Sequence, residues 1–531
     1  MALPRFCRRV LACALVALGS LLLSHPARSQ VSAPSAPRFD IQKFIVEGNT
    51  LLPQAQLDAL LAPFTGPGRD FGDVQRTLEA MHDAYNAIGY SVVRVLVPEQ
   101  NIRSGQVRLQ VVEPKLGKVT IENNKFFDAD NIRASLPELK EGRTPNTNRM
   151  AQEAQLANES PAKQTRIGLE AADEPGVIDA TLNVSDNSPH RVTVSLDNTG
   201  TSQTGYQRIG VSYQYANLFN RDHVLNIQYV TSPDHLKEVN IYGAGYHIPF
   251  PSLQSSVDMI AGYSNVASGT LAGLFNVAGS GSVYGLRYTQ LLPKLDTYEQ
   301  KMALGWDYRY ITQSVVLIGT SGSVIPDYAV QPISLSYNGR YSEIGRDINF
   351  YGSFSQNIPS IRNGNQNALT SQRVGAIADY SIWRYGVALS QVLPEDYLLR
   401  ATFSAQTTTY PLVSAEQFGM GGVDSVRGYL EREVSNDIGH RLSLEAYTPD
   451  WGKGLGSDWR GRALVFVDTA NGYDRGPPRS PDNTLFSSGI GVRLNHGRNL
   501  SVRADWARAL DPAGTTLAGQ DRFTFAVSYS F

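Results

Sequence analysis

The chain has 531 residues, of which 42% are hydrophobic, and 47 basic against 49 acidic side chains leave a formal charge of −2. So even a balance gives no electrostatic drive toward nucleic acid or anionic lipid, and the length is enough for several domains. The two cysteines, Cys7 and Cys13, both fall in a segment expected to be removed, so the mature chain is expected to hold neither a disulfide nor a cysteine-ligated metal.

Residues 1–29 read as a secretory signal peptide. Arg5, Arg8 and Arg9 give a basic start, Val10 to Leu23 is apolar, and Ala27-Arg28-Ser29 puts small residues where a signal peptidase cuts. Arg8-Arg9 lacks the rest of a twin-arginine motif, and Cys13 precedes most of the apolar run, which sets a lipoprotein box aside. Residues 30–38 are then a short N-terminal segment beginning at Gln30. Beyond Leu23 no apolar run approaches the ~18 to 20 residues that a spanning helix needs. A mean hydropathy of −0.24 leaves a membrane barrel open, because barrel strands alternate between lipid and lumen and look half polar.

Residues 39–114 mix strands and helices. Ile41 to Val46 reads as a strand, Pro53 suits a first helical position, and Leu57, Leu60 and Leu61 make a short apolar face. A second helix is expected after Asp73, because Val74, Leu78, Met81, Tyr85 and Ile88 recur at alternating spacings of four and three. That stripe reads as core rather than binding surface. Val92 to Val97 and Gln106 to Glu113 complete the order strand, helix, helix, strand, strand. The same order starts again about 75 residues on, over 115–187. Val46-Glu47-Gly48-Asn49 aligns with Ile121-Glu122-Asn123-Asn124, Leu57 with Ile132 and Leu61 with Leu136. Asn146 to Asn158 supplies the second helix, and Lys163 to Ala171 and Val177 to Val184 the last strands.

From His190 the helical period gives way to alternation in segments of about ten residues, such as Arg208 to Tyr215, Val224 to Val230 and Arg522 to Tyr529. About 16 strands are expected over 188–531, an even number as a closed bacterial barrel requires, with no helix to cover a second face. Their starts are placed near His190, Gly205, His223, Lys237, Gln254, Gly279, Glu299, Tyr328, Gly345, Val374, Asp396, His440, Gly461, Leu485, Asn499 and Asp521. Closure removes the unpaired edges of a long open sheet.

The terminal Tyr529-Ser530-Phe531, closing an amphipathic last strand, resembles the signal by which outer-membrane barrels are recognised for insertion, and two small repeats before a barrel resemble the POTRA domains of the outer-membrane assembly and translocation superfamily. Val426-Arg427-Gly428-Tyr429 matches that superfamily's loop motif. The resemblance implies that the sixth extracellular loop, 409–439, folds back into the lumen. There Arg427 would pair with Asp468, which lies with Phe466 on the thirteenth strand. The pattern Phe-x-Asp-x-Gly is broken by Ala470 in place of glycine, which puts the local backbone shape in question. Gly428 would serve a tight turn and Tyr429 would pack on the inner wall. Asp197 to Gly200, Asn217 to Asp222, Glu433 and Glu445 resemble one branch, the two-partner secretion transporters. Many members carry an N-terminal helix that plugs the barrel; about nine residues between Gln30 and Phe39 leave no room for it and its linker.

The resemblance implies two periplasmic α+β domains and a 16-stranded antiparallel transmembrane β-barrel in the cell outer membrane. It implies export of an unfolded partner exoprotein, adhesin-like or haemolysin-like, taken up along POTRA edge strands by β-augmentation. Outer-membrane lipid and the barrel-assembly machinery are further expected partners; nucleic acid is not, and no cofactor or metal is expected. No Gly-x-Ser-x-Gly, His-Glu-x-x-His or phosphate-binding loop occurs, so no catalytic group is assigned. His82, His190, His223, His235, His247, His440 and His496 lack ligand spacing, and Gly452 to Gly456 reads as a turn. The competing functions are an assembly factor that inserts other barrels, and a porin or barrel enzyme.

Overall fold

The computed structural model describes residues 38–531, apart from 102–103, 203, 267–268, 272–274, 278–279, 296, 313–325, 361 and 477–481. The signal-peptide reading of 1–29 and the expectation of no plug helix before Phe39 fall outside the described residues.

In the first α+β unit the strand Lys43–Glu47 runs parallel to Gln106–Val112, whose other edge pairs with Arg94–Leu96. Helices Gln54–Leu61 and Phe71–Ala87 pack Leu57, Leu61, Met81 and Tyr85 out of water. The second helix begins at Phe71 rather than after Asp73, and Pro53 precedes the first helix as its cap rather than opening it. The physical reason for the earlier start is reciprocal capping. Asp73 N donates to Asp70 Oδ1 and Asp70 N to Asp73 Oδ2, both at 3.0 Å, which satisfies two amides the helix leaves open. A short pairing of Phe39–Ile41 with Gly66–Arg69 carries no sequence signal, since Gly66-Pro67-Gly68 has no side-chain alternation to read.

The second unit repeats the topology. Lys115–Glu122 runs parallel to Val177–Asp186, and Lys163–Ala171 pairs antiparallel on the other side. Its helices, Ala129–Ala134 and Thr147–Ala157, start at side-chain caps: Asp128 Oδ1 accepts from Asn131 N at 2.8 Å, and Asn146 Oδ1 from Arg149 N at 3.1 Å. Leu116, Phe127, Ile132, Leu136, Leu182 and Val184 form the core.

Glu153 is buried in this unit, and burial pushes its carboxyl up to about 7 against the hydrogen bond it accepts from Glu138 N at 2.9 Å. A carboxyl raised in the folded state holds its proton more tightly there than in the unfolded chain. Its contribution is therefore fully present below the unfolded value and lost as pH rises through about 7. Glu153→Gln is expected to remove that dependence and to steady helix Thr147–Ala157 above pH 7 by roughly 2–3 kcal/mol. Amide hydrogen exchange of that helix in the full chain, at pH 5 and pH 8, measures it; equal pH responses in parent and variant would exclude Glu153 as the source.

From His190 on, the described residues form sixteen antiparallel strands, counting the eighth, Tyr328–Val330 with Pro332–Glu343, as one strand broken at Gln331. The ring closes where Asp521–Ser530 pairs with His190–Asp197, Ala526 opposite Asp197 and Ser530 opposite Thr193. The strands that matter below are the sixth (Ser280–Leu291), seventh (Tyr298–Thr312), tenth (Ser381–Val392), eleventh (Leu398–Thr407), twelfth (Ile438–Tyr447), thirteenth (Trp459–Tyr473), fourteenth (Asn483–His496) and fifteenth (Leu500–Ala509). Alternation splits the two faces cleanly. On the thirteenth strand Val465 and Val467 are 57% and 40% exposed on the outside, while Phe466 and Asp468 are 3% and 0% exposed inside. Leu286, Leu304, Leu335, Val387, Leu444 and Ile490 extend that exposed apolar belt, as a lipid-facing wall requires.

Two expectations are corrected. The tenth strand starts at Ser381, not near Val374, and a helix, Gln366–Gln372, sits in the loop before it. Asn365 caps that helix through Ala368 N at 2.9 Å; its two turns pack Leu369 into a loop cluster and cover no sheet face. Ala470 leaves the thirteenth strand regular: it pairs with Arg441 on one side and Leu485 on the other.

Candidate functional site

The segment joining the eleventh and twelfth strands turns into the lumen. Phe418–Met420 and Val434–Asn436 pair as a short hairpin that carries Val426 to Tyr429 toward the wall. Gly428 has φ +96°, and a β-carbon there would stand 3.3 Å from Ala509 N, so both backbone shape and space ask for glycine. Val426 is buried with Met420, Tyr429, Ala470, Leu485 and Ala509, which shows where the methyl of Ala470 goes.

Arg427 is 4% exposed and Asp468 not at all. The guanidinium grips the carboxylate with two parallel bonds, Nε to Oδ2 at 2.7 Å and Nη2 to Oδ1 at 2.8 Å, and its own amide adds a third at 3.1 Å. Such fork-to-fork bonding fixes orientation as well as charge. The Phe466 ring lies under the guanidinium, 3.4 Å from carbon to centroid. The structure thus brings Val426, Arg427, Gly428, Tyr429, Phe466 and Asp468 to one place.

Of the further partners, Glu445 and Glu433 are marked by the branch resemblance, whereas Ser443, Asp505, Arg493 and Arg503 carry no local sequence signal. Arg427 Nη1 donates to Glu445 Oε1 at 2.8 Å and Nη2 to Ser443 Oγ at 3.2 Å, both from the twelfth strand; Ser443 in turn donates to Asp468 at 2.6 Å. Asp505 of the fifteenth strand lies 3.7 Å away and is itself held by Arg493 and Arg503. Arg503 also reaches the loop, at Asp424 Oδ1 (2.8 Å) and the Val423 carbonyl. Tyr429 OH donates to Asp511 O at 2.6 Å, and Glu433 accepts four bonds from Thr515 and Thr516, so both residues tie the loop to the turn between the last two strands.

At the other end of the barrel the turn after the second strand, Arg208–Leu218, meets the second α+β unit. Lys163, with no exposed side-chain surface, donates to Asp222 Oδ2 and to Asn131 Oδ1, each at 2.7 Å. Asn131 Nδ2 bridges Asn217 and Asp222 at 3.0 Å each, and Asn220 reaches Asp128 at 2.8 Å. Nearby a cavity of about 960 Å³ is lined by Ala154, Glu159 and Ile167 of the second α+β unit, the last on its edge strand Lys163–Ala171, and by Lys301, Arg340 and Arg441 of the barrel wall. Among the described residues no group of carboxylates, histidines or cysteines is arranged to hold a metal ion.

A closed barrel with an apolar outer belt, a lumen entered by an arginine-anchored loop, and preceding strand-helix-helix-strand-strand units defines an outer-membrane POTRA-barrel protein. The family described as haemolysin secretion/activation protein ShlB/FhaC/HecB matches residues 176–494, and the ShlB-type POTRA domain matches 39–114. The chain belongs to this family. It is 20% identical to the outer membrane transporter CdiB of Dickeya dadantii (strain 3937) over 482 residues, 87% of this chain and 81% of that one. It is 20% identical over 483 residues to the heme/hemopexin transporter protein HuxB of Haemophilus influenzae, 86% of this chain and 80% of that one. Among solved structures, CdiB from Escherichia coli superimposes with a TM-score of 0.76 at 19% identity, over 96% of this chain and 93% of the other, a likeness of fold. The barrel resides in the outer membrane, and the POTRA domains face the periplasm.

Proposed function

We propose that the chain exports a partner exoprotein of the adhesin or haemolysin type through its barrel. The carrying observation is the cavity that Ile167 of the POTRA edge strand, Lys163–Ala171, lines together with polar lumen side chains of the wall; nearer the strand's start the Asn158 side chain already bonds Thr165 N and O. An unfolded substrate has unpaired amides and carbonyls, and an edge strand supplies partners for them without demanding a sequence. From there Lys301, Arg340 and Arg441 offer hydrated contacts along the way into the barrel. Arg427 and Asp468 hold the loop in the resting position, Phe466 supports the guanidinium, and Val426, Gly428 and Tyr429 shape and seat the turn. No step in this reading is catalytic. We assign residues 1–29 as the signal peptide, 30–38 as a short leader of the mature chain, 39–114 and 115–187 as the two POTRA domains and 188–531 as the barrel. Outer-membrane lipid surrounds the belt, and the barrel-assembly machinery inserts it.

Deleting the gene in its host tests this reading. The expected result is loss of one large extracellular protein with the rest of the outer-membrane profile intact. A general fall in barrel proteins would instead make the chain an assembly factor, and purified protein that hydrolyses lipid would make it a barrel enzyme.

A further inference from the structure

The lumen loop is fastened at a second place, to strands other than those that hold its tip. Glu416, on the limb that enters the lumen, has a carboxylate with no exposed surface, held between two wall arginines. Arg309 of the seventh strand donates Nη1 to Oε1 at 3.0 Å, and Arg384 of the tenth strand donates Nη2 to Oε2 at 2.8 Å. The backbone is stitched as well: Gln406 Nε2 of the eleventh strand donates to Glu416 O at 2.9 Å and to Asp437 O, on the returning limb, at 3.0 Å. Further round the wall Asp307 shares Arg309, accepting from it at 3.1 Å, and also accepts from both ends of the Arg287 fork at 2.8 and 3.2 Å. Just above, Leu412 and Val413 of the same limb are buried with Tyr328, Leu369 and Tyr380.

Topology gives this arrangement its meaning. The tip contacts strands twelve, thirteen and fifteen; Glu416 contacts seven and ten. In a closed ring of sixteen, strand seven stands six from thirteen and eight from fifteen, so the Arg309 bond reaches across the lumen, whereas strand ten stands only three from thirteen. A loop fastened to one wall swings aside when that fastening opens. A loop fastened to both is a brace, and releasing Arg427 alone leaves its other limb spanning the lumen.

We infer that Glu416, clamped by Arg309 and Arg384, is a second and separate fastening of the lumen loop, which together with the Arg427–Asp468 pair sets the loop's position in the lumen. At this second fastening Glu416 has no exposed surface while Arg309 and Arg384 are 20% and 30% exposed, so losing an arginine strands a buried carboxylate, and losing the carboxylate removes the attraction that holds the limb to the wall. Glu416 acts here as a positioning residue: it sets where the loop lies. The inference rests on the export reading above.

The test measures ion conductance of the purified full chain in planar lipid bilayers, together with trypsin cleavage of the loop in the intact barrel. Heat-dependent gel mobility checks that the barrel is folded. Glu416→Gln is expected to raise mean conductance several-fold and expose the loop to trypsin with the mobility shift unchanged. Glu416→Asp, which keeps the charge, is expected to stay nearer the parent. The double variant Glu416→Gln/Arg427→Ala should conduct more than either single variant. A double variant no more conductive than Arg427→Ala alone overturns the second fastening. If Glu416→Gln fails to fold, Arg384→Gln leaves Arg309 to balance the carboxylate and takes its place with the same two outcomes. The two readings fail separately. An Arg427→Ala chain that exports normally sinks the export role of the loop, whereas one that exports poorly beside an inert Glu416→Gln sinks only this inference.

Discussion

Arg427→Ala is expected to cut export of the partner protein by about tenfold or more, while the barrel stays inserted and folded. The substitution removes two bonds to Asp468, one to Glu445 and one to Ser443, and uncovers the Phe466 face on which the guanidinium rests. What remains is worse than an empty site. Asp468 is fully buried, Glu445 is mostly so, and Asp505 lies close by with only Arg493 and Arg503 for company. Removing one member of a buried pair costs about 3–5 kcal/mol, because the survivor keeps its desolvation and loses its counter-charge. The strands themselves are held by continuous ladders on either side of Asp468, Ser443 and Ser487 being its cross-strand neighbours, so the cost falls on the loop rather than on the barrel. Arg427→Lys is the sharper variant. It keeps the charge but loses the fork and the flat face, and its export should fall between parent and alanine. Immunoblots of secreted partner against outer-membrane barrel read both; lysine equal to arginine would mean that charge alone, without the fork geometry, holds the tip.

How much of this was legible beforehand differs between fold and site. Period-two alternation with turn residues between gave all sixteen strand starts within a few residues except the tenth, because each strand declares itself locally. The exception is instructive: Val374-Gly375-Ala376-Ile377-Ala378 has strand-like alternation, yet Ala376 and Ala378 are buried in a loop cluster with Leu369 and Tyr380. Helix Gln366–Gln372 was unreadable for a similar reason, since two turns give too few positions for a period to show. The meeting of Arg427 with Asp468 was expected only through the resemblance carried by Val-Arg-Gly-Tyr. Glu416, Arg309, Arg384 and Asp505 had no such guide. Arg309 and Glu416 are 107 residues apart in sequence, and which inward side chains face each other depends on register and closure, which a single chain does not reveal. The same holds for Lys163 and Asp222, 59 residues apart and in different domains.

Lys163→Met is the other substitution with a large expected effect, and it acts at the opposite end of the barrel. The ammonium is sealed from water with Asp222, Asn131 and the ring of Phe127 around it, the last at 5.1 Å; burial draws its pKa below the ordinary lysine value, and Asp222 resists that pull. Methionine fills nearly the same volume, so packing is kept while the charge goes. Asp222 is then left as a buried anion with Asn131 as its remaining side-chain donor across the junction. The periplasmic turn Phe219–Asp222, whose positive φ at Phe219, Asn220 and Asp222 already makes it a tight conformation, loses the partner that holds it against the second POTRA domain. Export is expected to fall by about tenfold, with faster amide hydrogen exchange over 128–135 and 217–223 and no change along strands twelve to fifteen. The companion Lys163→Met/Asp222→Asn removes both charges and keeps the bond geometry to Asn131, so the desolvated anion disappears and part of the lost export should return. That recovery separates an ionic junction from simple loss of packing. A double variant as defective as the single one, with equally fast exchange at the turn, would mean that the charge pair is not what seats the POTRA domain on the barrel.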